Sequence, residues 1–128
     1  MKIIRKSLIL FYDKSGNILI QDRRSYKPGK SFGLFGGSIE KGEDPEDTII
    51  REVKEELSIN LKDFKLFKKL VVLNQEEDLI FWIFTANMPK IEDIVCKEGK
   101  PYLTDYKFVS SIDLSERDKS IISEIINS

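Results

Sequence analysis

Three glutamates, Glu52, Glu55 and Glu56, stand at i, i+3 and i+4 in the stretch GGSIEKGEDPEDTIIREVKEELSI, residues 36–59. On a helix this spacing gathers them within an arc of roughly 100° on one face. Like charges so placed repel by roughly 0.2–0.5 kcal/mol per pair. A cation among them reverses that sign, and carboxylate oxygens are the donors that a hard divalent ion such as Mg2+ or Mn2+ prefers. A Glu-rich helix face is also how an ordinary solvated face reads. Arg51, with Asp47 and Glu55 four residues to either side, could account for part of the pattern without any ion. Histidine is absent from the chain. Its absence excludes Ser-His-Asp and Cys-His catalysis, His-bearing zinc sites and a histidine general base. A catalyst built from this sequence must rely on carboxylates, with or without a metal.

The element that must position these carboxylates begins at Asp44 and Pro45, an N-cap followed by a proline where a missing N–H costs nothing. Ile49, Ile50, Val53 and Leu57 then recur at three- and four-residue spacing and read as its inward stripe. Ahead of the helix stands a glycine pair, Gly36 and Gly37, where no side chain hinders close approach to the backbone.

Gly37, five residues, Glu43, seven residues and then Arg51-Glu52-Val53-Lys54-Glu55-Glu56, with Ile59 at the last apolar place, form one pattern. It resembles the box of the Nudix hydrolases, G-x5-E-x7-R-E-U-x-E-E-x-G-U with U apolar. Ser58 stands where that box has glycine, and Phe35 where many members have proline. A glycine there ends the helix in a left-handed conformation, so either Ser58 tolerates it or Asn60 takes it over. The carboxylates lie upstream of this departure, which is therefore expected to leave the chemistry almost untouched.

The resemblance implies an α/β fold: a Nudix-type α/β/α sandwich with a mixed, curved β-sheet between helices, the box as loop–helix–loop, and a C-terminal helix. It implies that Glu52, Glu55, Glu56 and the backbone carbonyl of Gly36 hold Mg2+ or Mn2+. It further implies that Glu52 takes the proton from the attacking water and that Arg51 orients Glu43 through a charge-assisted bond. Glu98, in the pair Glu98-Gly99, resembles the acidic residue that many members carry before their last strand. It is read as a further metal ligand or as part of a solvated loop. The implied substrate is a small-molecule nucleotide, a nucleoside diphosphate linked to another group. Nucleoside triphosphates and modified nucleotides are favoured, with ADP-ribose, nucleotide sugars and dinucleoside polyphosphates open. A nucleotide-binding sensor that hydrolyses nothing is the alternative from another class. Such members usually lack box carboxylates, and here all are kept.

A length of 128 residues fits a single domain, 1–128, with one core. A hydrophobic fraction of 41% and a charged fraction of 34% are those of an ordinary globular protein. The 21 basic residues nearly cancel the 22 acidic ones, leaving no global basic field for a long nucleic acid. A local cluster of Arg23, Arg24, Lys27 and Lys30 around a loop at 26–29 could still contact phosphates, Arg23 foremost. Phe32 just beyond reads either as a core aromatic or as a platform for a base. Cys96 is the only cysteine, so no internal disulfide forms, which suits a reducing cytoplasm. The apolar run after Lys6 ends at Asp13 without a cleavage site, and no run approaches the roughly 20 apolar residues that span a bilayer. A monomer and a homodimer are both compatible with the sequence.

Strands are expected at 2–12 and 18–22 across a turn at 13–17, and again at 64–74. Residues 79–88, LIFWIFTANM, read as a central strand buried on both faces, with Trp82 in the core and Pro89 ending it. Residues 91–101 read as irregular and 106–109 as a short last strand. Ser115 then caps a closing helix whose inward stripe is Ile121, Ile122, Ile125 and Ile126.

Overall fold

The computed structural model describes residues 2–25, 31–97 and 99–128. Along the chain run β1 (Lys2–Tyr12), β2 (Asn17–Asp22), β3 (Phe32–Gly33), β4 (Phe35–Ser38), α1 (Pro45–Leu57), β5 (Phe64–Leu73), β6 (Glu77–Asn87), β7 (Lys100–Asp105) and α2 (Glu116–Ile126). β1 is the common neighbour. It lies parallel to β6 from Lys2 opposite Glu77 to Tyr12 opposite Asn87. On its other side it pairs antiparallel with β2 only at Phe11 and Tyr12, and β4 then takes over from Ile9 to Lys6. The sheet order is β3-β2-β1-β6-β5, with β4 also on β1 and β7 on β2.

Successive strand residues point to opposite faces, and both faces of this sheet are apolar. Ile9 and Phe11 join Leu19, Phe35 and Phe84 beneath Ile49, Val53 and Leu57 of α1. Leu8 and Leu10 join Ile18, Ile20, Phe81 and Ile83 beneath Ile121, Ile122 and Ile125 of α2. The result is the expected mixed-sheet α/β/α sandwich. Each fully buried Ile, Val or Leu contributes roughly 1.5–3 kcal/mol, so these two stripes are what fix the helices to the sheet. The start of α1 is fixed separately. Asp44 accepts from the Asp47 N–H at 2.8 Å and Asp47 returns the bond at 3.4 Å. The buried Ser7 hydroxyl of β1 donates to the Pro45 carbonyl at 2.9 Å.

Several expectations change. Ile50 is 40% exposed, because it stands about 100° around the helix from Ile49, off the stripe. Residues 106–109 belong to a 3-10 turn, Tyr106–Ser111, and the last strand is β7, which starts at the end of the span read as irregular and stops just before the expected strand. β7 pairs with β2 and leaves Tyr102 and Leu103 exposed in succession, so it lacks the alternation that marks a strand. β6 is not buried on both faces throughout. Leu79, Ile80 and Trp82 are half-buried, and Ile80 joins neither core cluster. Lys69 lies over the Trp82 ring at 5.1 Å. Lys27, Lys30 and the rest of the loop at 26–30, together with Glu98, lie outside the described residues. Among the described residues no helix is long and apolar enough to cross a membrane.

Candidate active site

β4 sets its two glycines against β1, Gly36 opposite Leu8 and Gly37 opposite Ser7. Gly36 has φ 143°, and a Cβ there would strike the Ser7 carbonyl, so only glycine fits. A Cβ on Gly37 would fall on the Glu52 carboxylate. The glycine pair thus lets α1 bring its acids against the β4 backbone. Gly36 N–H donates to Glu56 Oε1 at 3.0 Å.

Glu56 is buried, and its Oε2 accepts from Gln21 Nε2 at 3.1 Å. Gln21 Oε1 in turn accepts from Arg23 Nε at 2.8 Å, and Arg23 Nη2 donates to the Leu34 carbonyl at 2.8 Å. The guanidinium occupies space that a side chain at Gly33 would fill. Burial, followed by the charge of Glu52, pushes Glu56 up to about 7, against the pull of Gly36, Gln21 and Arg23. Burial raises Glu52 as well, with Arg51 opposing it.

Arg51 is the hub of the remaining acids. It meets Glu43 with two N–H groups, Nε to Oε2 at 2.7 Å and Nη2 to Oε1 at 3.0 Å. Its Nη1 turns to Glu52 Oε1 at 3.0 Å and to Glu55 at 3.4 Å. Asp47, the other partner open to it in sequence, is used in the helix cap instead. Arg51 foremost, then the Glu40 N–H, holds Glu43 down at about 2, and Thr48 donates to it at 2.9 Å. The guanidinium therefore answers part of the repulsion on this helix face. Among the described residues no three acidic, histidine or cysteine side chains are grouped so that they could hold an ion as they stand. Glu52 and Glu55 turn to Arg51, while Glu56 turns to Gly36 and Gln21.

Beside Arg23 lies a cleft of about 240 Å³ lined also by Ser31, Phe32, Asp113, Leu114, Ser115, Arg117 and Asp118. Asp118 is 5% exposed, and among the described residues its Oδ1 alone is a buried side-chain polar atom without a hydrogen-bond partner. Arg117 Nε is 3.7 Å away, beyond hydrogen-bond distance. Burial raises the Asp118 pKa, against Arg117 and Arg23. Phe32 is half-buried, tilted against Tyr102 at 5.0 Å between ring centroids, with the Arg24 guanidinium 5.1 Å from its centroid. It is at once a neighbour of the core and a wall of the cleft. A larger cleft, about 390 Å³, opens between Tyr12, Lys62, Phe64 and Asn87 but contains no box residue. The buried Asp118 oxygen without a hydrogen bond makes the smaller cleft the one of interest.

Neither Gln21 nor Asp118 stands out in the sequence. Gln21 follows the apolar run of β2 near the strand's end, and Asp118 sits in a first helical turn where an acid is ordinary. Only their burial separates them from surface residues.

Ser58 itself takes the left-handed conformation, φ 60° and ψ 31°, the sole non-glycine with positive φ among the described residues. Its hydroxyl donates to the Val95 carbonyl at 3.0 Å, and Val95 N–H donates to the Leu57 carbonyl at 3.0 Å. Ser58→Gly removes strain of about 1–2 kcal/mol but also a hydrogen bond worth about 1 kcal/mol. It frees the unfolded chain as well. The melting temperature is expected to move by a few degrees at most, and kcat/KM to stay within about threefold. A tenfold change in turnover would show that the helix end positions the box.

Residues 3–126 match the family described as NUDIX domain. The chain is 36% identical over 66 residues to an 8-oxo-dGTP diphosphatase of Escherichia coli (strain K12), a stretch covering 52% of this chain and 50% of that protein. The chain therefore spans about half the length of this curated relative. Among solved structures it is similar to a MutT protein from Bacillus halodurans, with TM-score 0.79, 20% identity, and 98% of this chain and 83% of that one covered. It is likewise similar to the E. coli dihydroneopterin triphosphate pyrophosphohydrolase, with TM-score 0.79, 19% identity and coverages of 97% and 96%. At such identities these two structures speak for the fold alone. With the family match running over nearly the whole chain, and the glycine pair, Glu43, Arg51 and the three glutamates gathered around one helix, the chain belongs to the Nudix family.

Proposed function

We propose that residues 1–128 form one catalytic domain that hydrolyses, with Mg2+ or Mn2+, the phosphoanhydride of a nucleoside diphosphate linked to another group. A nucleoside triphosphate or modified nucleotide is the favoured substrate. The observation that carries this reading is the continuity of box and cleft. Glu56, Gln21 and Arg23 form an unbroken hydrogen-bonded line to a cleft with an aromatic wall and a buried carboxylate, one oxygen of which lacks a hydrogen-bond partner. Phosphates at Arg23 and a base beside Phe32 and Asp118 would set the scissile bond at the box. Nudix hydrolases generally use divalent metal ions and act on small nucleotides, and the E. coli relative is named for 8-oxo-dGTP.

The donor set suits a hard divalent cation: three carboxylates of one helix face beside a glycine backbone that carries no side chain. Glu52, Glu55, Glu56 and the Gly36 carbonyl would hold it, with Arg51 yielding Glu52 and Glu55 and keeping Glu43. When bound, the ion supplies charge neutralisation at the phosphate oxygens and a more acidic water. Glu52, whose carboxylate lies close to the Gly37 backbone, would take the proton from the attacking water. Arg51 keeps Glu43 in place and, through the Ser38 carbonyl at 3.2 Å, the strand end that leads into the box loop. Arg23 meets a phosphate with a guanidinium already fixed on two sides.

A panel of nucleotides incubated with Mg2+, with and without a chelator, tests this by phosphate or pyrophosphate release. Turnover of at least one nucleoside triphosphate is expected, with complete loss on chelation and a higher melting temperature at millimolar Mg2+. Binding without turnover across the panel would make the protein a nucleotide sensor instead. Neither binding nor turnover would remove both readings.

A further inference from the structure

We infer that Gln21 is a positioning residue that fixes the Glu56 carboxylate and ties its orientation to that of Arg23. The inference rests on the ion-holding role proposed above for Glu56. Gln21 is 1% exposed, and both ends of its amide are committed: oxygen to Arg23 Nε at 2.8 Å, nitrogen to Glu56 Oε2 at 3.1 Å. An amide has one donor end and one acceptor end, so a donor on one side and a carboxylate on the other leave a single orientation. With Gly36 N–H on Oε1, both Glu56 oxygens are held and the plane of the carboxylate is set. Groups that orient a metal ligand from behind typically change metal affinity by about 10–100-fold when removed. Among the described residues the other side-chain hydrogen bond of Arg23 runs to the Leu34 carbonyl, so Gln21 is its hydrogen-bonded link to Glu56, beside the charge that acts through space. A shift of Arg23 toward a phosphate is therefore felt at Glu56.

Two routes of influence from Arg23 to a bound cation have opposite signs. Through space, removing a positive charge strengthens the binding of another cation. Through Gln21, removing Arg23 frees the amide, loosens Glu56 and weakens binding. Mn2+ affinity, read by electron paramagnetic resonance at pH 8.5 without nucleotide, separates them. The expectation is about tenfold weaker binding for Gln21→Met, several-fold weaker for Arg23→Met, and a double variant within about twofold of Gln21→Met alone. Unchanged affinity in Gln21→Met, tighter binding in Arg23→Met, or additive losses in the double variant would overturn the inference. If Gln21→Met does not fold, Arg23→Met decides by its sign. A wild-type protein that binds no Mn2+ would instead overturn the ion-holding role of the box. That outcome is distinct from wild-type binding that Gln21→Met leaves intact.

Discussion

Glu56→Gln is expected to lower kcat a thousandfold or more, about 4 kcal/mol in the barrier, while making the ion-free protein more stable to heat at pH 8. Glu56 titrates at about 7 in the folded protein against 4.5 for an ordinary glutamate. Between those values the folded state keeps a proton that the unfolded state has lost. Stability therefore falls as the pH rises from about 4.5 to about 7 and stays lowered above. The buried charge costs on the order of 3 kcal/mol at pH 8. Glutamine removes the charge and can still accept from Gly36 N–H, but it turns a second amide donor toward Gln21, which cancels part of the gain. A melting temperature several degrees above wild type is expected at pH 8, with the difference gone at pH 5, where Glu56 is already neutral. Added Mg2+ should raise the wild type and leave the variant unmoved. Wild-type turnover with an intact circular dichroism spectrum would show that the box holds no essential ion at Glu56. A lower melting temperature at pH 8 would show that the protein stabilises this charge.

Asp118→Ala is expected to raise KM roughly 100-fold for the best nucleotide while changing kcat less than threefold. The reason is the unpartnered Oδ1. Burial without a hydrogen bond to one oxygen disfavours the charged carboxyl and moves the Asp118 pKa upward, against Arg117 and Arg23. In its neutral form it can donate to a carbonyl or ring nitrogen of a base. As the pH climbs through the raised pKa this donor is lost, so KM should rise with pH in the wild type. Asp118→Asn, whose amide donates at every pH, should flatten that profile and keep most of the affinity. A KM that falls with pH would mean that the substrate is the donor and the carboxylate the acceptor. A KM unmoved by Asp118→Ala would place the base elsewhere.

The box was legible because its chemistry imposes spacing: a helix periodicity, a proline and cap at its start, and glycines where Cβ atoms collide. The core was legible for the same kind of reason, since Ile49, Val53, Leu57 and the isoleucines of α2 repeat at the helical period. β7 was not, because an edge strand packs one neighbour and needs no alternation. The short β3 and β4 were missed because four consecutive residues containing two glycines carry no strand propensity of their own. They are strands because β1 supplies the ladder for β4 and β2 supplies it for β3. Gln21 and Asp118 illustrate a different limit. Each is an ordinary residue in its local sequence, and its meaning comes from long-range neighbours, Glu56 at a separation of 35 residues in the first case. Ile50 shows how a stripe read from spacing alone can be one residue too wide.

The guanidinium of Arg51, shared among Glu43, Glu52 and Glu55, makes it an incumbent. Any ion entering this helix face must displace a resident monovalent cation rather than fill an open charge deficit. Ions of low charge density, such as potassium, gain too little from two carboxylates to evict a group bonded at 3.0 Å. A small divalent ion would gain more from the same carboxylates. Without an ion the same guanidinium offsets part of the repulsion between Glu52 and Glu55, while Glu56 stays outside its reach. Discrimination among cations would then be set as much by the strength of the occupant as by the geometry of the donors.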